Sequence, residues 1–272
     1  MTLSPLVSAG DLLAVLHEPK LRIVDCRFSL DLPAAGRAAY TAGHIPGASY
    51  ASLDEDLSAP TGPGRHPLPS PVDLAQRLGA MGIGNEHRVV AYDDAGGAIA
   101  SRLWWMLRAL GHEATFVLDG GLQQWIAVGG PMATEPPEHP ATRLRVRAAY
   151  AGSMAYDEVA VRRESLQLID ARAPERYRGD VEPIDPVAGH IPSAVNVPFA
   201  SNLDPDGRFR SVDVLRTRYA AAGVTSVEDA VVYCGSGVTA CHDILAMEVA
   251  GLGTAILYPG SWSDWSAREA PT

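Results

Sequence analysis

Along the chain, short apolar runs that stop at Asp, Gly or Pro alternate with stretches whose apolar positions recur every three or four residues. The runs around Ile23-Val24, Val89-Val90-Ala91, Leu168-Ile169 and Val231-Val232 read as strands. Helical spacing predicts helices over 72–78, 98–110, 212–222 and 240–250, and the N-terminal segment reads as an amphipathic helix capped by Ser8. Strands alternating with helices predict an α/β fold, with mainly parallel sheets flanked by helices.

The pattern occurs twice. Ile23-Val24-Asp25-Cys26-Arg27 answers to Leu168-Ile169-Asp170-Ala171-Arg172, and Ala42-Gly43-His44-Ile45-Pro46 to Ala188-Gly189-His190-Ile191-Pro192. Val89-Val90-Ala91-Tyr92-Asp93 aligns with Ala230-Val231-Val232-Tyr233-Cys234, so an aspartate stands where the second copy has a cysteine. Leu118-Asp119-Gly120-Gly121 through Trp125 matches Tyr258-Pro259-Gly260-Ser261 through Trp265. Residues 129–140, rich in Gly and Pro, fall between the copies as a linker would. The predicted organisation is an N-terminal domain over 1–134, a linker over 135–147 and a C-terminal domain over 148–272. A chain of 272 residues gives each domain enough material for its own core.

Charge and cysteine content narrow the functional classes. A formal net charge of −10 argues against a nucleic-acid surface or an anionic membrane face, while leaving room for a small positive pocket and a small anionic ligand. No run of 18 apolar residues predicts a membrane span, and no positive charge precedes the first apolar residues as in an export signal. Three cysteines, Cys26, Cys234 and Cys241, are odd in number and lack metal-ligand spacing, which suits a reducing cytoplasm. The glycine-rich stretches lack the spacings that cradle nucleotide phosphates, so no dissociable cofactor is expected.

Cys234 is expected at the carboxyl end of a parallel strand, where ligand chemistry gathers in open α/β sheets. Cys234-Gly235-Ser236-Gly237-Val238-Thr239 then joins that strand to the helix beginning near Thr239. Two glycines permit a tight curl, whose backbone N–H groups can converge above the helix N-terminus. Such a cradle favours negative charge, and so favours a nucleophilic thiolate and a persulfide anion. A small buried hydrophobe is the other ordinary fate of a free cysteine.

Together, this loop, the paired Gly-His-Ile-Pro turns, Asp170-Ala171-Arg172 and Gly260-Ser261-Trp262-Ser263-Asp264-Trp265 resemble the rhodanese superfamily over nearly the whole chain. The two-domain form with an inert first domain resembles its 3-mercaptopyruvate sulfurtransferases. The resemblance implies two tandem rhodanese-like domains and a persulfide on Cys234. It also implies a small anionic sulfur donor and a thiol acceptor such as thioredoxin or glutathione, or cyanide. Thiosulfate sulfurtransferases carry basic residues where this chain has Gly235 and Ser236, so the neutral loop points to mercaptopyruvate. An arginine matching Arg176 would grip the donor carboxylate, with Arg178 as its neighbour candidate. Gly235, Gly237, Val238 and Thr239 would line the donor site. The resemblance further implies a Ser–His–Asp relay, with Ser236, a histidine assigned here to His44, and Asp31 as the nearest acid. His44 reads equally as a packing residue, because His190 fills the same turn in the second copy. The region a few residues beyond Arg176, where the family has a second arginine, reads Pro183-Ile184-Asp185-Pro186. Alternatives are a thiosulfate sulfurtransferase, and a sulfur carrier or redox binding module that does not turn over.

Overall fold

The computed structural model describes residues 4–269 and divides into two compact units. In the first, β1 (Leu6–Val7), β2 (Leu21–Asp25), β3 (Ala48–Tyr50), β4 (Arg88–Tyr92) and β5 (Thr115–Leu118) form a parallel sheet in the order β1-β5-β4-β2-β3. In the second, β6 (Gln167–Asp170), β7 (Val195–Asn196), β8 (Ala230–Tyr233) and β9 (Ile256–Leu257) form a parallel sheet in the order β7-β6-β8-β9. A single parallel bridge between Ser153 and Leu257 stands where the first sheet has β1. The duplication read from the sequence is therefore a duplication of topology.

All four residues of β8 are buried, as a strand covered on both faces requires. Helices occupy Pro71–Ala80, Ala100–Ala109, Val212–Ala221 and Ala240–Val249, within two residues of the expected ends. Ser8 caps the helix Ala9–Ala14 by accepting the Asp11 N–H at 3.1 Å. Among the described residues, no helix is long and apolar enough to cross a membrane.

The units do not follow the sequence halves throughout. The segment read as a linker stays with the first unit, where the Thr142 N–H donates to the Gly79 carbonyl (2.9 Å) and that of Arg147 to Leu110 (3.0 Å); the change of unit comes after Ala151. Two short arms are exchanged: residues 60–68 belong to the second unit and residues 205–208 to the first. Hydrophobic periodicity gives no sign of such an exchange, because both arms are irregular and rich in Gly and Pro or charge.

In both copies a buried Asp-x-Arg pair fastens the end of a central strand to the Gly-His-Ile-Pro turn. Arg172 reaches both oxygens of Asp170, the closest contact being 2.7 Å, and donates to the Gly189 carbonyl at 2.6 Å. Arg27 does the same with Asp25 (2.6 Å) and the Gly43 carbonyl (2.7 Å). Burial alone would lower the Arg172 pKa, but Asp170 outweighs it and holds the guanidinium charged. Removing one member of such a pair leaves an uncompensated buried charge. Asp170→Ala is therefore expected to destabilise the second unit by about 3–5 kcal/mol, read from urea unfolding followed by tryptophan fluorescence. A loss under 1 kcal/mol would show that the pair is dispensable.

Candidate active site

Cys234 directly follows β8, beside the point where connections leave the sheet in opposite directions: β7 lies on one side of β6 and β8 on the other. Its side chain is almost wholly buried. The loop turns back at Gly237, whose φ of +73° suits glycine, and a side chain there would meet the Pro259 carbonyl oxygen at 2.5 Å. The Cys234 N–H donates to Ser261 Oγ (3.1 Å), while its carbonyl accepts from the Trp262 N–H (2.9 Å). Ser261 holds φ at +55°, a strained value for a non-glycine residue, and its hydroxyl is thereby aimed at the cysteine's backbone.

The first copy displays what this curl can hold. Asp93, in the place of Cys234, accepts the N–H groups of Ala95 (2.9 Å), Gly97 (2.8 Å), Ile99 (2.8 Å) and Ala100 (2.8 Å) through its own carboxylate. In the second copy the equivalent N–H groups of Ser236 and Val238 find no acceptor among the described residues. The same cradle is closed by an internal anion in one copy and left with open donors around a thiol in the other.

The exchanged arm 60–68 completes the surroundings of the loop. Gly64, at φ +77°, lies so close to Gly260 that a Cβ would stand 2.5 Å from its carbonyl oxygen. The Arg65 N–H donates to Ser263 Oγ at 3.0 Å. His66 Nδ1 and Ser236 Oγ share a 2.7 Å hydrogen bond, with both residues buried. Arg65 Nη1 donates to Asp185 Oδ1 at 2.7 Å, while its buried Nε has no partner. Arg176, from the short helix Pro174–Arg178, donates through Nη2 to Glu182 (2.6 Å) and Asp185 (3.3 Å). A methyl group at position 235 would stand 3.0 Å from Arg65 Nη2 and 3.6 Å from Arg176 Nη1, so both guanidinium groups overhang Gly235. Burial by itself would raise the Glu182 pKa, but Arg176 and the N–H groups of Asp185 and Ile184 reverse this and hold the carboxyl below its usual range.

Cys234, Gly235, Ser236, Gly237, Val238, Thr239 and Arg176 are thus gathered in one place. Arg178 is not: it forms an exposed ion pair with Asp180 at 2.8 Å. His44 also departs from its expected role. Both ring nitrogens lie within hydrogen-bond distance of backbone carbonyls, of Tyr40 (2.9 Å) and Glu135 (3.1 Å), and the ring stacks on Tyr40 at 4.0 Å. His190 repeats this in the second copy, stacked on Tyr177 at 4.0 Å and bonded to its carbonyl at 2.8 Å. The turn histidines hold their turns, and the histidine facing Ser236 is His66. Asp31 lies exposed before the helix Ala34–Ala42. The missed residues, Arg65 and His66, carry one signal: two basic side chains in an otherwise featureless run of Gly and Pro. Cys241 is the second residue of its helix, because the loop takes up 234–239, and its thiol donates to the Gly237 carbonyl at 3.4 Å.

A rhodanese-like domain model matches residues 8–128 and again 156–268. The chain is 44% identical to a probable 3-mercaptopyruvate sulfurtransferase of Pseudomonas aeruginosa, across 97% of this chain and 96% of that one. It is 35% identical to the thiosulfate sulfurtransferase of Bos taurus, across 93% and 87%. Among solved structures, the 3-mercaptopyruvate sulfurtransferase from Leishmania major superposes with a TM-score of 0.88 at 34% identity, covering 98% of this chain and 75% of that one.

Behind the loop, the helix Ala240–Val249 buries Asp243 completely. Burial pushes its carboxyl up to about 8, against the hydrogen bond from Asn202 Nδ2 (2.6 Å) and the charge of Arg218. A neutral Asp243 leaves the first turn of this helix without a carboxylate charge. Because the folded pKa lies above the unfolded one, the native state binds the extra proton between about pH 4 and pH 8, and stability falls as pH rises through that window. Asp243→Asn should flatten this slope, by a few kcal/mol at most, in urea titrations at pH 5 and pH 8. Parallel slopes in the two proteins would refute the assignment.

Proposed function

The chain belongs to the rhodanese family, and on that premise we propose that it is a sulfurtransferase that takes sulfur from 3-mercaptopyruvate and carries it as a persulfide on Cys234. A thiol such as thioredoxin or glutathione, or cyanide, then accepts the sulfur. The observation that carries this reading is the paired cradle: Asp93 closes one with its carboxylate, while the other leaves donors open around a buried thiol. A terminal persulfide sulfur bears the negative charge such donors accommodate.

In the first half-reaction the Cys234 thiolate attacks the donor sulfur, and the electrons of the C–S bond pass to carbon as the enolate of pyruvate. The proton shed by the new persulfide is the one the enolate takes up. Ser236, bonded to His66 at 2.7 Å, is the group placed to donate to that enolate and to be resupplied from the imidazole. The acceptor thiolate then attacks the outer sulfur, and Cys234 returns to thiolate. Mercaptopyruvate fits better than thiosulfate because Gly235 and Ser236 bring no charge directly beside the thiol. Arg176 Nη1 lies 3.6 Å from where a methyl group at 235 would stand, and a carboxylate on the same molecule could accept from it. Thiosulfate is the competing donor, supported by the thiosulfate sulfurtransferase among the relatives.

Purified protein should turn over 3-mercaptopyruvate with a specificity constant at least about 10-fold above that for thiosulfate, with cyanide as acceptor in both assays. Thiosulfate preference would overturn the donor assignment, and absence of turnover with both would leave a sulfur carrier. Cys234→Ser should abolish transfer from every donor. His66→Ala is expected to lower kcat by roughly 100-fold or more, the scale of a lost general acid or base, with little change in KM. An unchanged kcat would remove His66 from the reaction.

A further inference from the structure

We propose that Arg65 is the second arm of a two-arginine clamp for the donor's carboxylate, and that Asp185 positions both arms. The inference rests on the sulfurtransferase reading for its substrate. Its physical basis is the way each guanidinium is spent. Arg65 gives Nη1 to Asp185, leaving its Nη2 without a protein acceptor among the described residues and its buried Nε unpaired. Arg176 gives Nε and Nη2 to Glu182 and Asp185, leaving Nη1 in the same condition. The acids hold the outer edges, and Arg65 Nη2 and Arg176 Nη1 converge over Gly235, 3.0 Å and 3.6 Å from where a methyl group would stand.

Two cations brought together at one edge of a closed loop repel each other unless an anion lies between them. Asp185 supplies that anion on one side, at 2.7 Å from Arg65 and 3.3 Å from Arg176, and its own side chain is almost fully buried. On the side of Gly235 the described residues supply no such anion. Arg65 Nη2 and Arg176 Nη1 keep N–H groups that no acceptor among the described residues takes, and a carboxylate arriving there would accept charge-assisted hydrogen bonds from both arginines at once. Glycine at 235 leaves the arms room, because a Cβ there would stand 3.0 Å from Arg65 Nη2. The clamp also explains why the catalytic unit includes an arm from the first sequence half: that arm brings the general acid or base, His66, and a binding cation, Arg65, on adjacent residues. If Arg65 only pinned the arm, its loss would act through His66 and lower kcat.

The test uses the full-length protein and two readouts. KM and kcat for 3-mercaptopyruvate are measured in Arg65→Met, Arg65→Lys and Asp185→Asn. In parallel, alkylation rates of Cys234 are compared for iodoacetate, which carries a carboxylate, and iodoacetamide, which does not; their ratio cancels any change in thiolate fraction. The expected result for Arg65→Met is a roughly 10- to 100-fold rise in KM with kcat within a few-fold, and a fall of similar size in the iodoacetate-to-iodoacetamide ratio, matching the loss of charged hydrogen bonds. Arg65→Lys should fall between wild type and Arg65→Met, and Asp185→Asn should shift both readouts in the same direction by less. An unchanged ratio together with an unchanged KM in Arg65→Met overturns the clamp, as does a fall in kcat alone. Should the wild type fail to use mercaptopyruvate, the donor assignment fails while the alkylation ratio still decides the clamp. If Arg65→Met does not fold, Arg65→Lys and Asp185→Asn decide it by the same criteria.

Discussion

A line of alternating charges ties the second sheet to its reactive loop. Asp170 at the end of β6 holds Arg172 (2.7 Å), which holds Glu182 (3.2 Å), which holds Arg176 (2.6 Å). Arg176 shares Asp185 (3.3 Å) with Arg65 (2.7 Å). Every link is buried or largely so, and three acids balance three bases. Isolated buried charges would be prohibitive, whereas a neutral alternating series with hydrogen bonds at each link can be sustained. The series has a direction: its first pair is anchored in a rigid strand, and its last two members present unspent N–H groups beside a thiol. The end beside the thiol takes its geometry from a run of paired side chains that starts at the sheet.

The backbone cradle obeys a second constraint. A strand-to-helix turn that curls its N–H groups inward must satisfy them or leave them to a ligand. Asp93 satisfies them in the first copy, which makes that turn self-contained and stable. Cys234 leaves them open in the second, and the cost is borne by the surrounding fastenings: Ser261 on the cysteine's N–H, Trp262 and Ser263 on the carbonyls of Cys234 and Gly235. The first copy serves as an internal control for the second, with the same curl and an aspartate in place of the cysteine.

Much of this was legible in the sequence because it depends on local or periodic features. The duplication, the buried strands, the principal helices and the position of Cys234 follow from apolar runs, their endings and the repeat itself. Arg65 and His66 were not legible in the same way. They sit in an arm without periodicity, and its assignment to the other unit is a tertiary fact that no window of sequence contains. The assignment of the relay histidine to His44 has an instructive cause. A histidine in a recurring turn attracts notice, yet recurrence in both the inert and the thiol-bearing copy is what structural duty predicts, and the Tyr40–His44 and Tyr177–His190 stacks bear it out. Arg178 failed for a simpler reason: two positions from Arg176, at the end of a short helix, it points to solvent and finds Asp180 there.

The asymmetry between the two copies needs more than one substitution. The arm that joins the first unit, residues 205–208, carries Asp206 and Arg208, and these pair with each other at 2.7 Å on the surface. It brings no histidine, and its cation is engaged on its own carboxylate. A cysteine at position 93 would open four backbone donors, and the arm 205–208 would bring no histidine and no uncommitted arginine with it. Three placements coincide in the second copy: a thiol in the cradle, a histidine on its serine, and arginines whose outer edges are already committed to Glu182 and Asp185. The last of these is the least visible and the most demanding, because it requires an arginine from the arm 60–68 to balance charges carried by the distant stretch 176–185.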